Sequence, residues 1–273
     1  MFTLKNWISI ENINWEQLSK NPNAIELLEK NKDKINWENL SGNSNAIYLL
    51  KKNLSKVNWK NLSGNSNAIS LLEKNLDKVD WKNLSGNPNA IHLLEKNQDK
   101  IFWPWLSRNP NAISLLEKNL YKVNFHELSR NPNAIHLLEK YLDKVNWMYL
   151  SANPNAIPLL EKNMNRVDWN WLSDNPNAIP LLEKYKDKIN LNFLSSNPNA
   201  IHLLEQNLDK IDKLYFWLSS NPAIFEINYL KLASEKTRII FKELMEIVLH
   251  PMRIEKLMEM TGTTEFDEID SYI

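Results

Sequence analysis

The stretch Asn-Pro-Asn-Ala-Ile-His-Leu-Leu-Glu-Lys-Asn, residues 87–97, decides the fold because the chain repeats it at a fixed interval. Its first Asn recurs with one constant spacing, at Asn21, Asn43, Asn65, Asn87, Asn109, Asn131, Asn153, Asn175 and Asn197. An incomplete tenth copy opens at Asn221, two residues late. Such a period is typical of a solenoid, in which one small unit stacks on copies of itself.

The first half of this stretch predicts the start of a helix. The Asn87 side chain is a good N-cap, and Pro88 suits the first helical position because its missing N–H would have no partner there. Ala90, Ile91 and Leu94 then share one face of the helix. We predict a helix of roughly ten residues, called helix B, that opens at each Asn-Pro or Asn-Ser pair.

The rest of each unit predicts a shorter helix, called helix A. Val79, Trp81 and Leu84 leave room for only two turns. A helix this short is not stable alone, so we expect its first aromatic residue to be buried between repeats. That position holds Trp15, Trp37, Trp59, Trp81, Trp103, Phe125, Trp147, Trp169 and Leu191.

The whole chain is therefore predicted to be an all-α, right-handed α-solenoid of two-helix repeats. We expect an N-terminal cap at residues 1–14, in which Trp7, Ile8 and Ile10 cover the end of the first layer. The repeats, nine regular and one degenerate, occupy residues 15–224. A helical cap at 225–260 and an acidic tail at 261–273 follow. Layers about 9–10 Å apart would make an open rod or arc of roughly 80 Å.

Charge and composition exclude several classes of function. Lys plus Arg number 33 and Asp plus Glu number 33, so no net field attracts nucleic acid. The chain has no Cys, hence no disulfide or thiolate metal site. It has no apolar run long enough to span a membrane and no signal-like run near Met1, so we expect an intracellular protein without a membrane partner.

No residue pattern indicates catalysis, a metal or a cofactor. His92, His136 and His202 occupy one variable position of helix B, and layer spacing would separate them by ~20–30 Å, too far for one metal ion. The repeated Glu-Lys pairs fit a solvated helix face better than an acid/base pair. We expect a protein that is not an enzyme.

Two resemblances add to this interpretation. The Asn-Pro opening and the Leu93-Leu94 pair are similar to the units of leucine-rich repeat variant proteins, which implies α-helices alternating with short 3-10 helices. The Leu-Ser-x-Asn-Pro-Asn-Ala-Ile-x-Leu-Leu-Glu-Lys-Asn array, followed by Phe241–Glu246 and His250–Arg253, resembles repeat proteins encoded by giant DNA viruses of protists. This second resemblance covers nearly the whole chain and implies a viral origin, in host cytoplasm or virion, but no activity.

The function predicted from sequence is a scaffold or adaptor that binds a protein partner. The variable positions would form its surface: Tyr48, His92, His136 and His202 on helix B, and Arg108 and Arg130 between the Ser and Asn that join the helices. Two alternatives stay open. One is single-stranded RNA binding by stacked repeats, and the other is a structural or virion component.

Overall fold

The computed structural model describes residues 2–248, with side chains for all of these except 212 and 241–248. They form two compact units: the repeat array, Leu4–Phe225, and a second unit that holds the outer strand residues and the C-terminal helix. Two strands occur in the described range, β1 (Phe2–Leu4) and β2 (Phe225–Ile227), and they pair with each other. All other regular structure there is helical, which confirms the predicted all-α repeat solenoid.

Each repeat begins with helix A, a short α-helix that an Asn or Asp side chain usually caps. Asn36, for example, accepts a hydrogen bond from the backbone N of Asn39 at 2.9 Å. These caps supply the partner that the first N–H groups of a helix lack. We number the repeats 1–10 by their helices A in chain order. These helices are Trp15–Leu18, Trp37–Ser41, Trp59–Ser63, Trp81–Ser85, Trp103–Ser107, Phe125–Leu128, Trp147–Ser151, Trp169–Asp174, Leu191–Leu194 and Tyr215–Leu218.

Helix B follows after the Asn-Pro or Asn-Ser pair, as predicted. In repeats 1–6 its first turn is a 3-10 helix, such as Pro88–Ala90, and the Asn87 side chain accepts from the backbone N of Asn89. The α-helical parts are Ile25–Lys30, Ile47–Lys52, Ile69–Glu73, Ile91–Lys96, Ile113–Glu117, Ile135–Lys140, Ile157–Glu161, Ile179–Lys184 and Ile201–Glu205.

A second 3-10 helix, which the sequence pattern did not predict, leads from helix B to the next repeat. It contains the polar residues after the Leu-Leu-Glu run and ends at an extended Val or Ile, such as Val79. These 3-10 helices are Lys32–Lys34, Leu54–Lys56, Leu76–Lys78, Gln98–Lys100, Leu120–Lys122, Leu142–Lys144, Met164–Arg166, Lys186–Lys188 and Leu208–Lys213. Each unit is therefore a helix A, a helix B and a 3-10 turn.

The core is a continuous column of small and branched side chains. Leu84 of helix A, and Ala90 and Leu94 of helix B, are fully buried, as are their counterparts in the other repeats. The Trp that opens helix A packs against the edge of this column, so it is only partly buried where burial between repeats was predicted. Trp81 is half-buried, and the ammonium of Lys100 lies 4.5 Å from its ring centroid. Similar pairs in repeats 1–7 place a Lys or Arg over the ring, each worth about 0.5–1 kcal/mol.

Buried Asn and Ser side chains join each repeat to the one before it. Asn131 Nδ2 donates to the backbone oxygens of Ser107 at 3.0 Å and Asn109 at 2.8 Å, both one repeat earlier. Ser129 Oγ donates to the Phe125 oxygen and accepts from the Asn146 backbone N at the start of the next helix A. The same Asn bonds recur through the array as an inter-repeat ladder.

The ladder continues from the last repeat to the first, so the array closes into a ring. Asn21 Nδ2 donates to the backbone oxygens of Ser219 at 3.1 Å and Asn221 at 2.8 Å. The Asn14 backbone N donates to Ser219 Oγ at 2.9 Å. The same Asn bonds join all the other pairs of neighbouring repeats, and the same Ser bond recurs from repeats 1 and 2 to repeats 8 and 9. The predicted open rod or arc, and with it the idea of an exposed first layer, is therefore wrong.

Repeat 10 is built from both ends of the array. Residues 215–224 supply its helix A and the turn that Asn221 caps, and residues 5–14 supply the remainder of the repeat. A backbone hydrogen bond of 2.9 Å from Lys5 N to the Ile224 oxygen joins the two segments. Ile13 is buried, as is Ile35 at the equivalent place of repeat 1. The predicted N-terminal cap is thus the second half of the last repeat. Ile10, assigned to the capping face, is 45 % exposed.

The second unit contains one long helix, Tyr229–Val248. It confirms that the predicted cap at 225–260 is helical over these residues. The rest of that cap and the acidic tail predicted at 261–273 lie outside the described residues.

Candidate partner-binding surface

The third position of helix A separates the repeats into two groups. In repeats 2 and 3 it holds Asn39 and Asn61, whose side chains donate to the backbone oxygens of Glu16 and Glu38 in the preceding repeat, at 2.9 and 2.8 Å. In repeat 4, Asn83 donates instead to the Asp80 carboxylate. From repeat 5 onward the position holds Trp105, Glu127, Tyr149, Trp171, Phe193 and Trp217. In repeats 5 and 7–10, an aromatic side chain therefore stands where repeats 2 and 3 have an Asn that bonds to the preceding repeat.

We call Trp105, Tyr149, Trp171, Phe193 and Trp217 the aromatic stripe. Tyr149 and Trp171 meet edge to face with centroids 5.8 Å apart, and Trp171 and Phe193 are tilted at 5.6 Å. All five rings are partly exposed, and Trp217 is 49 % exposed. A partly exposed row of large aromatic residues, three of them in contact with one another, is uncommon unless it contacts a ligand or partner.

The two arginines predicted as binding residues lie beside this stripe. The Arg108 guanidinium lies 4.1 Å from the Trp105 centroid, and that of Arg130 lies 3.8 Å from Tyr149 and 5.1 Å from Trp171. Burial lowers the pKa of Arg108; Glu127 opposes that shift and Arg130 adds to it. The group keeps its charge near neutrality, because an arginine pKa starts far above 7.

The Arg108 guanidinium packs against Gly86, the residue at the equivalent place of the preceding repeat. A β-carbon at Gly86 would lie 3.5 Å from Arg108 Nε and Nη2. Glu127 lies between the two arginines in sequence, and its Oε2, like Arg130 Nε, is buried without a hydrogen-bond partner in the protein. The arginine end of the stripe therefore combines cations, one carboxylate and rings in partly buried positions.

The four other predicted binding residues lie on helices B, away from the stripe in sequence position and in contacts. His92, His136 and His202 each pair with a Glu of the preceding helix B, at 3.0, 3.1 and 3.2 Å. Tyr48 is 64 % exposed, with the Lys52 ammonium 4.0 Å from its ring. The structure therefore brings Arg108 and Arg130 together but does not join them to the histidines.

A cavity of about 280 Å³ opens at the other end of the stripe. It is lined by Trp171, Asp174, Asn192, Phe193, Ser196 and Trp217. Ser196 Oγ donates to Asp174 Oδ1 at 2.7 Å. Sequence reasoning missed this cavity and the stripe. The signal was present in the third position of helix A, which changes from Asn to aromatic residues between repeats 4 and 5.

The described residues contain neither a metal site nor a membrane-spanning helix. No group of three His, Asp or Glu side chains within residues 2–248 is placed to hold a metal ion. Every helix in that range is too short or too polar to cross a lipid bilayer. No protein-family model, curated protein or solved structure matches the chain.

Proposed function

We propose that this protein is a non-enzymatic binding scaffold that holds a segment of a protein partner along the aromatic stripe. The observation that supports this most strongly is the exchange at the third position of helix A. Asn at that position links two repeats, whereas an aromatic ring there makes no such bond and exposes apolar area. Aromatic residues with arginine beside them are the side chains enriched at energetically important points of protein interfaces.

The rigid array suits this role. A surface built on packed helices positions its side chains more accurately than one built on loops. Since the ladder bonds run through every repeat, the stripe residues are held at regular steps. The predicted helix B residues are less well supported as binding residues, because Tyr48 and the three histidines already contact exposed side chains of the same array. The intracellular location and viral origin implied by the resemblance stay predictions.

The test uses Trp171→Asn, which restores the residue type that repeats 2 and 3 carry at that position. The new amide can donate to the Met148 backbone oxygen, the equivalent of the Glu38 oxygen, so the fold should persist. Affinity purification from cells with quantitative mass spectrometry should recover a partner with wild type and lose it, by about tenfold or more, with Trp171→Asn. Tyr48→Ala, on helix B, is the matched control and should keep the partner.

Equal recovery by Trp171→Asn and wild type would refute docking at the stripe. Loss with Tyr48→Ala alone would move the interface to helix B.

Single-stranded RNA binding is a second candidate, which the stripe itself favours. Bases stack on aromatic rings, and Arg108 and Arg130 could neutralise phosphates. Two observations weigh against it: the chain has no net charge, and Tyr149, Trp171 and Phe193 contact one another, which leaves no gap for a base between those three rings. Filter binding of an oligonucleotide at two salt concentrations separates the candidates, because RNA affinity must fall steeply as salt rises.

A further inference from the structure

The cavity at the end of the stripe differs chemically from the rest of the surface. Rings from three successive repeats, Trp171, Phe193 and Trp217, form its walls, and the Asp174 carboxylate is its only charged group. Among residues whose side chains the structure describes, Asp174 forms no ion pair and accepts one hydrogen bond, from Ser196. The cavity is therefore an aromatic enclosure with one negative charge that no cation of this array neutralises.

Folding does not explain the carboxylate, and it explains the rings only in part: Trp171 packs against Tyr149 and Phe193, whereas Trp217 is 49 % exposed. Asp174 is the last residue of its helix A, Trp169–Asp174, where a negative charge faces the negative end of the helix dipole and is unfavourable. The same position holds Gly, Ala, Ser, Lys or Arg in the other repeats. Trp171 and Phe193 also replace the ladder-forming Asn. Two departures from the stable pattern thus meet at one cavity.

The array itself shows that such rings accept cations, since Arg guanidinium groups lie over Trp105, Tyr149 and Trp147. Within it, lysine ammonium groups lie 4.5–4.8 Å from indole centroids in five repeats. Arg130 lies 5.1 Å from Trp171, but no Lys or Arg side chain that the structure describes lies over Phe193 or Trp217. Those two rings and the Asp174 carboxylate attract a cation that this array does not supply.

We propose that this cavity binds the ammonium group of a lysine side chain of the partner, including its methylated forms. This inference rests on the proposed function and names the chemistry of one contact within it. A volume of about 280 Å³ is below the usual range for drug-sized ligands, and it suits a single side chain. Rings on several sides fit a rounded ammonium better than a planar guanidinium, and Asp174 adds the opposite charge.

The experiment titrates the full chain with N-acetyl dimethyl-lysine amide, N-acetyl lysine amide and N-acetyl norleucine amide, followed by NMR of the indole N–H signals. The two lysine probes should shift the Trp171 and Trp217 signals in a saturable way. Norleucine, with a similar length but no charge, should bind about tenfold more weakly. Arginine amide is the fourth probe, and it should bind more weakly than dimethyl-lysine.

Three variants complete the design. Asp174→Asn should reduce lysine affinity about tenfold while leaving norleucine unaffected, because it removes the charge and keeps the shape. Trp217→Phe identifies the Trp217 signal, and Tyr121→Ala, at a position that is 83 % exposed and does not line the cavity, should bind all probes as wild type does. Equal affinity for norleucine and lysine, or unchanged lysine affinity in Asp174→Asn, would overturn the inference.

Failure of this inference can be told apart from failure of the proposed function. If Trp171→Asn loses the partner but the cavity shows no preference for lysine, the stripe docks a partner through other contacts. If the cavity prefers lysine but Trp171→Asn keeps the partner, the scaffold binds its partner elsewhere.

Discussion

One asparagine in each repeat both starts a helix and joins two repeats. Asn131 Oδ1 accepts from the Asn133 backbone N at 3.0 Å, and Nδ2 donates to two backbone oxygens of the preceding repeat. The side chain is fully buried, so water cannot replace any of these partners. A buried polar group left without a partner costs about 1–3 kcal/mol.

Asn131→Ala should lower the free energy of unfolding by about 3 kcal/mol, since it removes a helix cap and leaves buried backbone oxygens with fewer donors. Urea unfolding followed by circular dichroism measures this change. Asn133→Ala is the matched control: that side chain is exposed and makes one bond, from Nδ2 to the Pro110 oxygen. It should cost under about 1 kcal/mol, and equal losses in the two variants would contradict the role assigned to burial.

The structural role of this Asn could be predicted from the repeat pattern itself. Asn131 and its counterparts never vary, and a base-reading or partner-reading residue would. The burial of Trp81 was predicted less well, because the repeat period shows that a ring is needed but not how far it enters the core. The Lys100 ammonium over that ring explains why half of it can stay exposed.

At the scale of elements, repeat 9 shows what the opening aromatic residue of helix A contributes. Leu191 replaces Trp there, and a cleft of about 280 Å³ lies beside it, lined also by Ile189, Leu194 and Lys210. Lys210 follows Leu191 at the same sequence interval that separates Lys100 from Trp81. The cleft is therefore the space that an indole fills in most of the other repeats.

Leu191→Trp should raise the free energy of unfolding by about 1–2 kcal/mol, because the larger side chain buries more apolar area and gains Lys210 as a cation. Thermal and urea unfolding measure the gain. Leu194→Trp is the contrasting variant: Leu194 is fully buried, so a larger ring must displace its neighbours and destabilise the array. A loss of stability in Leu191→Trp would show that the cleft cannot accept the ring.

Only part of the candidate binding surface could be predicted from the sequence. It predicted Arg108 and Arg130, which vary at an otherwise small position, and these do lie beside the stripe. It gave equal weight to His92, His136 and His202, whose partners on the preceding helix B could not be read from spacing alone. The third position of helix A was missed because each ring, taken singly, resembles an ordinary core residue.

At the scale of the molecule, closure follows from small rotations between neighbours. No residue encodes it, because the curvature of a solenoid is the sum of many interface angles. The only trace in the sequence is that residues 5–14 and 215–224 are each half a repeat. Taken separately, they were predicted to be an N-terminal cap and a degenerate tenth repeat, and their bonds show that they complete one another.

Ile13→Ala should weaken the closing repeat specifically. Its side chain is buried between the two ends, so the change should cost about 2–4 kcal/mol, whereas Ile10→Ala, at an exposed position, should cost under about 1 kcal/mol. Hydrogen exchange gives the location: in Ile13→Ala, amides of repeats 1 and 10 should lose protection before those of repeats 4–6. Uniform loss around the array, or equal effects of the two variants, would contradict a seam at this place.

Because the ladder has no terminus, the number of units is set by geometry. An open array can lengthen or shorten by gene duplication with the loss or gain of a single interface. Here each unit turns by about one tenth of a full circle, so an eleventh would overlap the first. To admit it, every interface would have to flatten slightly, or the two half-units at the chain ends would have to part. Gain or loss of one whole unit should therefore be selected against in this gene.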